Sequence, residues 1–245
     1  MRKPRKGTKY ICETLEPVLH MALKDITALY EMRDNKSLQL DSNLNFFLDM
    51  ITRAYSGAYA YYKLSRDLPN SLTFPPAARV GFALTGRTSC HDALMISWVT
   101  SGDSSLMSDR INMILTDQLA RLKREKQIGR EFIQENYPHL IDSSGEFIFK
   151  PISGAKKFLN GSDVEFMKTV YDVYDTFSKY EHYGIMYEII QSSSHDKFYG
   201  YYIHSLVAML INMKSCLSAL SFLLPDRAEK SRTALKQLLE DLTYD

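Results

Sequence analysis

The sequence predicts an all-α protein, a helical bundle of six or seven helices in a single domain over residues 1–245. Three observations carry that reading. Apolar residues recur at every third or fourth position from end to end, strand-like alternation is nearly absent, and the long periodic stretches are separated by short polar or proline-bearing breaks.

Each element has its own justification. A first helix is expected from about Leu15 to Met32, with Thr14 as cap and Pro17 in the tolerated first turn. Val18, Leu19, Ala22, Ile26 and Leu29 form its apolar face, and Asp34-Asn35-Lys36-Ser37 breaks it. Ser42 is placed to cap a second helix with the stripe Leu44, Phe47, Ile51, Ala54, Ala58, Tyr61 and Leu64, ending near Arg66-Asp67 before Pro69. Pro75-Pro76 opens a third helix that runs to about Thr100. Between Arg79 and Val99 its ionisable groups, cysteine aside, are Arg79, Arg87, His91 and Asp92, so it belongs in the middle of a bundle.

The fourth helix is expected from about Ser105 to Asn136, solvent-facing after Leu119, where Arg121, Lys123, Arg124, Lys126 and Arg130 crowd its second half. Residues 137–161 carry Pro138, Pro151 and the run Phe147-Ile148-Phe149, which suits a loop, small hairpin or lid. Ser162 and Glu165 stand in capping-box spacing before a fifth helix with the stripe Met167, Tyr171, Tyr174, Ser178 and His182, ended or bent by Gly184. After the polar stretch Gln191 to His195 a sixth helix runs to Leu224, where Pro225 stops it, and residues 226–245 form an amphipathic tail helix.

Composition excludes more than it identifies. With 30 basic against 29 acidic residues, the chain is no indiscriminate polyanion binder. Cys12, Cys90 and Cys216 are widely spaced and suit reduced, buried thiols. Basic Met1 to Lys9 leads into Tyr10-Ile11-Cys12-Glu13 and not into an apolar core, so no secretory signal is expected and the location reads as cytoplasmic. Tyr201 to Leu224 is the most membrane-like segment, but a central lysine costs roughly 2.5–3.5 kcal/mol on insertion, so Lys214 points to a buried helix and no membrane contact.

The chemistry concentrates on the third and fifth helices. Val80, Leu84, Arg87, His91, Leu94 and Trp98 make one stripe at helical spacing, apolar except at its centre. Burying a guanidinium is costly unless it is paired, so Arg87 demands a partner, an anion or a wet cavity. Arg87 and His91 lie four apart and share a face; Ser178 and His182 do the same. Both pairs interrupt apolar stripes, which predicts that the two helices face each other across a buried polar network, with Tyr174, Tyr180, Glu181 and His204 as further members. In the purely structural alternative Arg87 pairs with Glu181 or another acid to fix helix register, and the histidines are satisfied core donors. No zinc or di-iron spacing is present, so no metal or cofactor is expected. His91-Asp92 is no exception, because neighbours on a helix point about 100° apart.

Ser178-Lys179-Tyr180-Glu181-His182 resembles the Ser-x-Tyr-x-His signature of a family of bacterial helical proteins of unassigned function. That family carries an arginine on an upstream helix, a position matched by Arg87 within Arg87-Thr-Ser-Cys-His91; the likeness spans about helices three to six. More distantly, the layout is similar to the HEPN superfamily of helical bundles, many of them toxin or antiviral ribonucleases. Those place four to six residues between arginine and histidine, where this chain has three. The HEPN resemblance implies metal-independent RNA cleavage in a cleft across a homodimer. His91 or His182 would activate a ribose 2′-hydroxyl, and Arg87 would stabilise charge on the phosphate. Three functions follow as expectations. The protein binds a small anionic, phosphate-containing ligand or nucleotide at an Arg/His/Tyr site; it is a HEPN-like ribonuclease with Arg87, His91 and His182 as reacting groups; or it is a non-catalytic interaction module. In the first case Ser178, Tyr180, Glu181 and His204 would hold the ligand.

Overall fold

A computed structural model describes residues 8–66, 76–162, 167–183, 195–224 and 233. The expected tail helix over 226–245, Thr233 apart, the Gly184 boundary and Glu165 of the capping box lie outside the described residues. Eight helices are described: α1 Thr8–Asp34, α2 Ser42–Arg66, α3 Pro76–Thr100, α4 Ser104–Arg124, α5 Arg130–Asn136, α6 Ala155–Asn160, α7 Met167–Tyr183 and α8 His195–Leu223. The fold is all-α, as the periodicity predicts, with six long helices and two short ones.

The two centres of the bundle are α3 and α8. α3 packs against α2, α7 and α8, while α8 also contacts α1, α2 and α7. On α8, Leu206, Met209, Leu210, Met213, Leu217 and Leu220 are fully buried. The span His204–Leu223 is long and apolar enough to cross a bilayer, yet 67% of it is buried inside the fold. Small residues let α2 and α3 cross closely: a Cβ on Gly57 would stand 2.9 Å from the Cβ of Ser89. That crossing is tied by polar groups the periodicity did not reveal. Ser89 Oγ donates to the Ala54 carbonyl of α2 at 3.0 Å, and Asn212 of α8 donates to Ser89 Oγ at 3.1 Å.

Several boundaries differ from expectation, each for a local reason. Thr14 is not a cap: α1 begins at Thr8, and Thr14 is an interior, buried residue one turn before Val18. Pro17 therefore sits inside the helix, tolerated because Leu15, Val18 and Leu19 are anchored in the core. Asp41, not Ser42, caps α2, its carboxylate accepting the Leu44 N–H at 2.8 Å.

The expected fourth helix is two helices. Lys126 adopts φ 58°, the left-handed conformation, and Gln127 N–H bonds back to the Leu122 carbonyl at 2.9 Å, which closes α4 in a Schellman turn. The turn brings Ile128 against a small second core of Leu115, Leu119 and Leu140, where Tyr137, Phe147 and Phe149 also pack. The 137–161 segment is thus docked along much of its length. Its hairpin is reduced to one antiparallel bridge, Ile141 to Phe147, around a turn at Asp142–Gly145, and α6 was not foreseen.

Candidate functional site

Antiparallel packing of α3 and α7 aligns positions four apart on each. Gly86 makes this possible, since a Cβ there would lie 2.4 Å from a ring carbon of Phe177. Arg87 then meets Ser178, and His91 meets Tyr174, one turn back on α7. Arg87 Nε donates to Ser178 Oγ at 3.2 Å, while the Ser178 hydroxyl donates to the Tyr174 carbonyl at 2.9 Å. The serine proton is thus directed to its own helix and a lone pair is presented to the guanidinium. The Arg87 guanidinium carbon sits 5.4 Å from the centroid of the Tyr174 ring, within cation–π range. His91 approaches the same ring at 5.6 Å and meets Phe158 of α6 edge-on at 5.9 Å.

The expected facing of the two helices is therefore present, but the site is smaller and wetter than the stripes suggest. Arg87, Tyr174 and Ser178 are half-buried, and the His91 side chain retains 31% exposure. His182 is exposed near the end of α7, and His204 is exposed on α8. Tyr180 lies in the main core near Phe177 in sequence, and the Glu181 side chain lies outside the described residues. The cause is helix rotation. The core face of α7 is Met167, Val170, Val173, Phe177 and Tyr180, so Tyr171, Tyr174, Ser178 and His182 run along its flank.

α3 also carries a buried carboxylate with a cation from α2. Asp92, 1% exposed, accepts two bonds from Arg53 of α2, at 2.6 Å from Nε and 2.7 Å from Nη2. That hydrogen bonding pushes the Arg53 guanidinium above its ordinary pKa, against the opposing effect of partial burial. His91 Nδ1 lies 3.5 Å from Asp92 Oδ1, so the same carboxylate faces the imidazole. Asp92 is five residues from Arg87 and points about 140° around the helix from it. Sequence reasoning missed Arg53, although a signal existed: Asp92 is the one acid in an otherwise apolar stretch of α3, and such a carboxylate requires a cation.

Compared with family models, with characterised proteins and with solved structures, the chain finds no match in any of the three. Among the described residues, no group of three or more His, Cys, Asp or Glu side chains is placed to hold a metal ion. Cys90 and Cys216 are free and buried; desolvation pushes the Cys90 thiol up to about 12 and raises that of Cys216 as well.

Proposed function

We propose that this protein binds a phosphate-containing ligand at the seam between α3 and α7, through Arg87. One observation carries the reading: the guanidinium is held side-on by Ser178 and rests over Tyr174, while the half-exposed His91 imidazole meets the same ring. A planar, always-charged fork pre-positioned by a neutral hydroxyl and an aromatic face suits a phosphate, which it can grip with two parallel bonds. Asp92 does not compete, because Arg53 engages it and it points away from Arg87. A cytoplasmic location fits the free, buried thiols.

The test is a thermal-shift titration with inorganic phosphate, pyrophosphate and nucleotides. Stabilisation is expected in the wild type, loss in Arg87→Ala and partial retention in Arg87→Lys. Equal stabilisation of Arg87→Ala, or none in any protein at millimolar ligand, would refute the proposal.

A second reading, metal-independent RNA cleavage, is favoured by the convergence of His91 and Arg87 on one ring, a proton-transfer group beside a charge-stabilising one. It expects RNA cleavage in the presence of a chelator, abolished in folded Arg87→Ala and in His91→Ala. Cleavage persisting in both variants would eliminate it.

A further inference from the structure

Phosphate alone does not account for the aromatic surface around Arg87. Tyr171 and Tyr174 stand 6.3 Å apart on α7, Tyr174 is 5.6 Å from His91, His91 is 5.9 Å from Phe158, and Phe158 is 5.5 Å from Trp98. The inner two rings are sealed, at 1% exposure for Phe158 and 7% for Trp98. Tyr171, Tyr174 and His91 are half-exposed, and Arg87 sits over the middle one of the three. His91 is therefore backed by packed aromatics, and Tyr171 and Tyr174 are packed against the main core beside it, so a flat ligand stacks on the outer rings with little ordering cost.

From this geometry, and resting on the phosphate reading above, we infer that the ligand is a nucleoside phosphate. Its base stacks on the Tyr171–Tyr174 edge while its phosphate is taken by Arg87. Stacking on an aromatic side chain is tolerant of base identity, so the site would not be selective among bases. The chemistry is shared by a free nucleotide and by a residue of single-stranded RNA or DNA.

Affinities of the full chain for AMP, UMP, ribose 5-phosphate, inorganic phosphate, a short single-stranded oligonucleotide and its duplex would test this by calorimetry. AMP and UMP are expected to bind roughly ten- to hundred-fold more tightly than ribose 5-phosphate. Tyr171→Leu should bring nucleotide affinity down towards that of ribose 5-phosphate while phosphate binding survives, because Tyr174 still supports Arg87. Tyr174→Phe should keep the full difference, as should Tyr59→Leu on α2, whose ring packs instead on Tyr55. Melting curves of each variant confirm that it folds.

Ribose 5-phosphate binding as tightly as AMP would overturn the stacking inference and leave the phosphate reading standing; absence of binding by every phosphate would overturn both. An oligonucleotide binding more tightly than AMP supports the platform and assigns its source to a strand. A duplex binding as well as the single strand overturns it, because paired bases have no free face to offer.

Discussion

Arg53→Ala should damage this protein more than its half-exposed position suggests. The substitution removes two charge-assisted bonds, at 2.6 and 2.7 Å, from a carboxylate that is 1% exposed. Breaking a buried pair from one side costs roughly 3–5 kcal/mol, because the remaining charge is uncompensated. Arg53 is itself 52% exposed, so water enters the space it leaves and screens Asp92, which places the loss at about 2–3 kcal/mol. At about 2–4 °C per kcal/mol for a chain of this size, the melting temperature should fall by about 4–12 °C. Asp92→Asn is the informative contrast. It leaves a cation that can turn into solvent, and the expected loss is about 1 kcal/mol. Urea unfolding of both single variants and the double variant gives the coupling directly. The reasoning is refuted if Asp92→Asn proves the more damaging, or if the double variant shows the sum of the two single losses.

Other expectations follow from individual contacts. Gly86→Ala and Gly81→Ala, on the same helix, should have opposite signs. At Gly86 the new methyl meets Phe177 at 2.4 Å and Tyr61 at 2.8 Å, two buried rings from different helices, so overpacking outweighs the gain in helix propensity and the net loss is about 1 kcal/mol. Nothing lies within 4 Å of a Cβ on Gly81, so Ala there should stabilise by about 0.5–1 kcal/mol in the same melting assay. Cys90 and Cys216 should resist alkylation at neutral pH in the native protein and react only in denaturant, which mass spectrometry of labelled peptides reports. Burial, with Tyr59 a lesser cause, pushes Tyr55 up to about 12, whereas it ionises near 10 in the unfolded chain. Its contribution to stability should therefore be complete below about pH 10 and be lost as the pH climbs towards 12, a loss that Tyr55→Phe should lessen in alkaline unfolding curves.

What the sequence made legible was periodicity, and what it hid was rotation. α2 was readable to its last residue because a long apolar stripe ends in a charged, proline-bearing stretch. The length of α8 and its place at the centre followed from hydropathy. The split between α4 and α5 was not readable, because it depends on a lysine adopting a left-handed backbone, a conformation no side chain announces. At the site, equal spacing placed Arg87 and Ser178 on helices that face each other, without pairing the two. It could not show that α7 turns its valines and Phe177 inward, leaving Tyr174 and Ser178 on the flank and His182 exposed. The lone acid Asp92 announces that a cation is needed but not that Arg53 supplies it, and the pairing of Asn212 with Ser89, 123 residues apart, leaves no local pattern at all.

The small second core has a consequence for how this molecule breathes. Among the described residues Phe46 is the one side chain packed against both cores, so the unit built from the end of α4, α5 and the following hairpin shares little apolar contact with the bundle, with the 3.1 Å hydrogen bond between His139 and Asn43 as a polar tie. Amides of that annex should exchange with deuterium well before those of α3 and α8, in a sub-global opening that leaves the arginine seam intact. The exposed tip at Ser143–Ser144 is accordingly where a foreign peptide or fluorophore can be grafted with least disturbance to the rest.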